Sequence, residues 1–294
     1  KREFNFEKAK EGIYQIVWGL VKKVVIADSC ANYANEVFNH YPTMNSLSLV
    51  FGAIYFAFQI YGDFSGYSDI ALGTSKLFGI DLLKNFNYPY FSRDIAEFWR
   101  RWHISLTTWF RDYLYIPLGG SKGSRWFQVR NTFIIFLVSG FWHGASWTYV
   151  FWGFINAMYF IPLLLLKRNR KNVDDISLGF DFGSVKTIFN ILTTFLITCF
   201  AWIFFRAKTI HDAFAYIQKM FEDLDFSKQY FSIERYNYDL LPLVIVFIVV
   251  EWNSRTRIEP ISGKYSWVKF SLSLAALLAL GVFSDYKEFI YFQF

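Results

Sequence analysis

The sequence predicts an all-α, polytopic membrane protein. Three observations lead there. Of its 294 residues, 54% are hydrophobic and 22% aromatic, while only 18% are charged, against about 25% in an ordinary soluble domain. Uncharged runs of 20 residues at 43–62 and 19 residues at 187–205 match the ~20 helical residues that cross ~30 Å of hydrocarbon. Basic residues cluster between such runs rather than within them. The same composition excludes a disordered chain, which carries few aromatics and many charges.

Five further spans complete the set. Residues 240–250 are intensely apolar but short, and extend back past Asp239. Residues 270–284 extend back past Lys269. Residues 131–166 are uncharged apart from His143. At ~1.5 Å per residue this run is too long for one crossing. A break at Gly144-Ala145-Ser146 makes it two spans, with His143 ending the first. The segment 13–28 is a weaker span, interrupted by Lys22 and Lys23.

The positive-inside rule orients these spans. Lys167, Arg168, Arg170 and Lys171 follow the span ending at Leu166, so that end is cytoplasmic. Alternation then puts 206–239 outside, a loop with five basic and six acidic residues. The loop with Arg255, Arg257 and Lys264 and the Arg- and Lys-rich segment 63–130 are cytoplasmic, and the C-terminus is external. A net charge of +6 distributed in this way fits a bilayer and not nucleic acid. The first residue is Lys1 and no secretory leader is visible, so the chain reads as a piece of a longer protein.

Within 63–130, Asp94 followed by Glu97 reads as a capping box that opens a helix. From there Ile95, Trp99, Trp102, Leu106, Trp109 and Tyr113 are spaced 4, 3, 4, 3 and 4. They form one apolar stripe on a helix over 94–113. Arg93, Arg100 and Arg111 fall opposite. Such a helix lies in the membrane interface with tryptophans inward and arginines toward headgroups. The plainest role for it is an anchor.

Two histidines suggest more. His103 sits at the edge of the stripe. His143 sits in Ser139-Gly140-Phe141-Trp142-His143-Gly144-Ala145-Ser146-Trp147. An ionisable residue at membrane depth is expensive, so it is a functional candidate by default. A neutral imidazole at low dielectric suits a general base that takes a proton from a hydroxyl attacking an acyl carbonyl. A hydrogen-bonded structural histidine is the competing reading for each. The glycines beside His143 offer a substrate chain a close approach to the backbone. Asp63 and Asp69 read as loop carboxylates or caps. His40 and His211 lie in loops and receive no role. Cys30 and Cys199 read as buried small hydrophobes. No metal-ligand cluster, P-loop, dinucleotide fingerprint or nucleophile elbow is present in the sequence.

The stretch NFNYPYFSRDIAEFWRRWHISLTTWFRDYLYIPLGGSKG (85–123), followed by SGFWHGASW (139–147), resembles the membrane-bound O-acyltransferase family. It is most similar to the branch of the alginate O-acetyltransferase membrane subunit, and the terminal FIYFQF fits that branch too. The teichoic-acid D-alanyl transfer proteins share the core, but here it continues as YLYIPLGGSKG.

The resemblance implies a single domain over 1–294, lacking N-terminal spans that family members carry. It implies a ring of tilted helices around a thin centre, with 63–130 as an interfacial or re-entrant segment. It implies catalysis by His143, with His103 as the second site residue at a position where the family has Asn or His. The implied reaction moves an acyl group, acetyl in this branch, onto a hydroxyl of an extracytoplasmic polysaccharide or cell-wall glycan. The donor is cytoplasmic, acetyl-CoA or an acyl carrier thioester, with no bound cofactor and no metal. A secreted acyltransferase is an implied partner, and a bacterial inner membrane the implied location. D-alanyl transfer to teichoic acid, and a non-enzymatic transport or scaffold subunit, are the competing readings. Transport predicts charges within several spans, and the runs at 43–62 and 187–205 have none.

The orientation is testable by labelling from outside the cell. A cysteine introduced at position 170 is expected to be protected and one at 225 to react. The reverse pattern would invert the topology.

Overall fold

The computed structural model describes residues 5–173, 185–222, 224–225, 240–256 and 261–283. In chain order the helices are α1 (Phe6–Leu20), α2 (Asp28–Asn39), α3 (Ser46–Leu77), α4 (Ile95–Arg101), α5 (Ile104–Phe110), α6 (Arg125–Trp142), α7 (Trp147–Leu165), α8 (Val185–Arg206), α9 (Ile210–Glu222), α10 (Leu240–Ser254) and α11 (Ser266–Leu280). No strand occurs among the described residues, as the apolar runs predict. Of these helices α3, α7 and α8 are long and apolar enough to cross a membrane, while α10 and α11 are shorter apolar helices. Cys30 and Cys199 are free and buried. The chain divides into two compact units, 1–84 with 225–294, and 85–224.

In the first unit α1 and α2 run on through a π-helical turn, Val21–Ala27. A short 3-10 turn, Tyr41–Thr43, then leads into α3. Asn45 opens α3 by accepting from the Ser48 amide at 3.0 Å. The expected span 43–62 does not end at Gly62. Its helix continues to Leu77, about 48 Å in all. Asp63 and Asp69 are therefore on a helix and not in a loop.

Their partners explain why the helix tolerates them. Lys22 bridges Asp69 at 3.1 Å and Glu251 at 3.2 Å. Lys23 bridges Asp28 and Asp63, each at 2.8 Å. The Tyr61 hydroxyl donates to Glu251, and the Gln15 amide donates to Asp69. Lys22 is 5% exposed and Glu251 2%. A buried charge of this kind persists only when paired. Lys22 and Lys23 thus do not weaken the helix at 13–28; they tie the π-helical turn to α3 and α10. The charges missing from the run 43–62 stand just beyond it, and each is salt-bridged.

The second unit is built on the α6–α7 pair. A methyl group on Gly140 would overlap the Tyr149 carbonyl oxygen, and one on Gly153 the Phe136 carbonyl oxygen. The two backbones touch at both crossings, the use that membrane helices make of small residues. The break between them falls at 143–146, where the sequence placed it. Ser146 caps α7 through the Thr148 amide.

The helix expected over 94–113 is not continuous. The capping box is real, with the Asp94 carboxylate accepting from the Glu97 amide at 2.7 Å. But α4 stops at Arg101, and His103 adopts φ +46 before α5 begins. The corner is held from outside the helix. Asn87 donates its amide to the Arg101 carbonyl, and the Ile104 amide donates to Asn85, both at 2.9 Å. Asn85 also accepts from the Ser105 amide and hydroxyl. The stripe divides accordingly. Ile95 and Trp102 are buried, while Trp109 is 52% and Tyr113 68% exposed.

The arginines do not simply face headgroups either. Arg93 and Arg101 both pair with the buried Glu97 carboxylate. Arg100 donates to the carbonyls of Asn169 and Asn172 at 2.8 and 2.9 Å, fixing the basic loop after α7. Only Arg111, paired with its neighbour Asp112, remains largely exposed among these four.

Two substitutions test this arrangement. Lys22→Leu leaves Asp69 and Glu251 buried without their shared cation, and is expected to destabilise the first unit by about 3–5 kcal/mol. A thermal melt in detergent equal to that of wild type would show the cluster to be dispensable. Trp102→Glu puts a charge among the rings of Phe86, Tyr90, Phe98 and Trp202, which lie 5.1–5.9 Å away. The expected cost is roughly 3 kcal/mol or more. Normal levels of fully active Trp102→Glu protein would refute the burial of this face.

Candidate active site

The two histidines are brought together in the second unit. His143 is the C-terminal cap of α6. Its ring is walled by four aromatic neighbours: Phe205 at 5.0 Å, Trp142 at 5.1 Å, Trp152 at 5.4 Å and Tyr149 at 6.4 Å. Trp152 and Phe205 meet it edge-on. His103 stands at the corner between α4 and α5, with Phe86 stacked 6.4 Å from its ring. The Trp142 indole also lies 6.4 Å from His103. One indole therefore flanks both imidazoles, which are close enough to act on each other electrostatically.

Each position follows from local sequence. Ser139 and Gly140 give α6 the slim face that lets α7 approach, and Gly144 allows the chain to turn at φ +154. The break then leaves the His143 ring at the helix end, against α7 and α8. His103 occupies a left-handed backbone region that few residues other than Gly, Asn, Asp and His enter.

The surroundings set the electrostatics. Burial pushes the His103 imidazole down to about 4, because a cation is disfavoured where water is excluded. It is a neutral hydrogen-bonding group at physiological pH. A stacked series of indoles backs the site: Trp102 lies 5.2 Å from Trp202, Trp202 5.6 Å from Trp152, and Trp99 5.7 Å from Trp152. These rings fix Trp152, and with it one wall of His143.

Several features differ from the sequence reading. The glycines beside His143 serve the protein and not an approaching chain: Gly140 meets the Tyr149 backbone, and Gly144 faces the Tyr149 ring. His40 and His211 are exposed. The sequence reading missed Tyr149, Trp152, Trp202 and Phe205. The only signal available was the density of aromatic residues in CFAWIFF at the end of α8 and in WTYVFW at the start of α7. Neither motif states which ring faces a histidine.

Comparison with known proteins adds an independent line. The chain is 41% identical over 224 residues to the probable alginate O-acetylase AlgI of Pseudomonas aeruginosa, covering 75% of this chain and 40% of that protein. It is 38% identical over 216 residues to the peptidoglycan O-acetyltransferase of Helicobacter pylori, covering 74% and 40%. It is 28% identical over 210 residues to the teichoic acid D-alanyltransferase of Bacillus subtilis, covering 68% and 51%. The chain thus spans about 40% of the length of the acetylases it matches. The sequence model of one family, described as membrane-bound O-acyltransferase, matches residues 2–216. That range takes in both histidines, the corner that holds one and the helix pair that holds the other, and by it the chain belongs to the membrane-bound O-acyltransferase family.

Proposed function

We propose that the protein transfers an acetyl group from a cytoplasmic thioester donor to a hydroxyl of an extracytoplasmic polysaccharide or cell-wall glycan, with His143 as general base. The observation that carries this reading is the His143 imidazole, set at a break between two apolar helices and enclosed by rings. The ring nitrogen takes the proton of the acceptor hydroxyl as its oxygen attacks the thioester carbonyl. The C–O bond forms and the C–S bond breaks. The leaving thiolate recovers the proton from the imidazolium. His103, neutral and one indole away, supplies a hydrogen bond to the acyl carbonyl oxygen and orients it.

Acetyl is favoured over D-alanyl by the higher identity to acetylases, 41% and 38% against 28%. Acetyl-CoA and an acyl carrier thioester both present the required thioester to the basic face of 93–130. A secreted acyltransferase fits as an intermediate carrier of the acyl group toward the glycan. The setting is the bacterial inner membrane, crossed several times. All described functional groups of this scheme belong to the second unit.

The test uses the full-length protein, in cells or reconstituted. His143→Ala is expected to abolish acylation at unchanged membrane levels, since general base catalysis alone contributes ~10²–10⁴-fold. Wild-type acylation by this variant would sink the mechanism. His103→Ala is expected to be severe, and His103→Asn milder, because Asn both donates a hydrogen bond and tolerates the left-handed backbone.

The pH dependence has a definite sign. The folded value of about 4 lies below the ordinary 6.5, so the stability tied to neutral His103 is complete above 6.5 and is lost as pH falls toward 4. Wild type should lose thermal stability relative to His103→Asn across that window. A constant difference would contradict the buried, neutral assignment.

A further inference from the structure

Arg206 is the last residue of α8, directly after Phe205. The Phe205 ring lies 5.0 Å from His143 and 4.9 Å from Tyr149. The Arg206 guanidinium is half-buried and interacts electrostatically with the hydroxyls of Tyr149 and Tyr216. Tyr149 is therefore the spacer between a cation and the imidazole: its ring neighbours His143, and its hydroxyl neighbours Arg206. Tyr216, from α9, is buried and closes the other side. Beyond Arg206 the chain leaves the helix, with the Ala207 amide on the Ile203 carbonyl and Lys208 exposed.

The orientation fixed by the basic residues 167–171 makes this the external end of α8. An acceptor reaching His143 from outside passes the guanidinium first. A guanidinium is a planar fork that matches carboxylate or phosphate oxygens two at a time. Its attraction for an anion grows where water is partly excluded.

We propose that Arg206, with the Tyr149 hydroxyl, binds an anionic group on the acceptor and so sets which neighbouring hydroxyl meets His143. The acceptor is thereby an anionic glycan, bearing a carboxylate on the sugar or a phosphate in the chain. This rests on the acyl transfer proposed above and adds the acceptor's charge to it.

The competing role for Arg206 is structural, a cation at a helix C-terminus that favours the helix dipole. The two separate in kinetics. Full-length protein in liposomes is supplied with acetyl thioester and three short acceptors: a uronic-acid oligosaccharide, its carboxyl-reduced neutral counterpart, and a polyol-phosphate oligomer. Wild type is expected to show a KM for one anionic acceptor about 10–100-fold below that for the neutral one, the range set by charge-assisted hydrogen bonds. Whichever anion shows the lower KM identifies carboxylate or phosphate as the group read. Arg206→Gln is expected to raise that KM to the neutral acceptor's while kcat falls far less, and Arg206→Lys to restore part of the discrimination. Arg206→Gln that keeps the wild-type discrimination, or that lowers kcat equally for all three acceptors, overturns the proposal and leaves acyl transfer standing. Wild type that acylates none of the three overturns both.

Discussion

The closest contact in the second unit is between two backbones. At Gly140 and Gly153 the main chains of α6 and α7 meet with no side chain between them. This contact draws the start of α7 against the end of α6, so the four residues that link them have little choice of path. His143 is thereby pressed against Trp152 and Phe205 instead of turning outward. The same device recurs in the first unit, where Gly12 and Gly73, and Gly19 and Gly66, bring α1 and α3 together. In hydrocarbon there is no water to drive helices together, so close packing and satisfied polar groups carry the association. Both units depend on that constraint.

Polar groups follow a matching rule. Where a charge is buried, its partner is supplied by another helix or another turn. Glu97 takes Arg93 and Arg101, and Lys22 takes Asp69 and Glu251. Such pairs contribute less to stability than their Coulomb energy suggests, because desolvation offsets much of it. Their larger effect is on register. A one-turn slip of α3 against the π-helical turn would strand several charges at once.

The sequence made part of this legible. The break at 144–146, the cap at Asp94, the two buried cysteines and the apolar helices follow from local pattern, and local pattern is what a helix mostly obeys. The corner at 102–103 was hidden because the 3-4 spacing of Ile95, Trp99, Trp102 and Leu106 runs straight through it. What bends the chain there are the Asn85 and Asn87 hydrogen bonds, which a periodicity cannot register. The charge cluster was hidden for the same reason. Lys22, Asp69 and Glu251 look like interruptions of three separate spans until the helices are packed. At the site, the two histidines stood out as costly residues in apolar surroundings. The rings around His143 did not stand out, since aromatic residues are everywhere in this chain.

The paired lysines also bear on how the first unit enters the bilayer during synthesis. On the insertion machinery's scale a lysine or aspartate at a helix centre costs about 2.5–3.5 kcal/mol. The run through Lys22 and Lys23 is thus a poor passenger alone, and so is α3 with Asp63 and Asp69. Together they neutralise one another. The short turn Tyr41–Thr43 lets them leave the channel as one hairpin. Glu251 is synthesised long afterwards. Until α10 arrives, Lys22 holds only Asp69, and Tyr61 has yet to meet the carboxylate it will bind. The first unit therefore keeps an unfinished polar seam through most of translation, which only its last helices close.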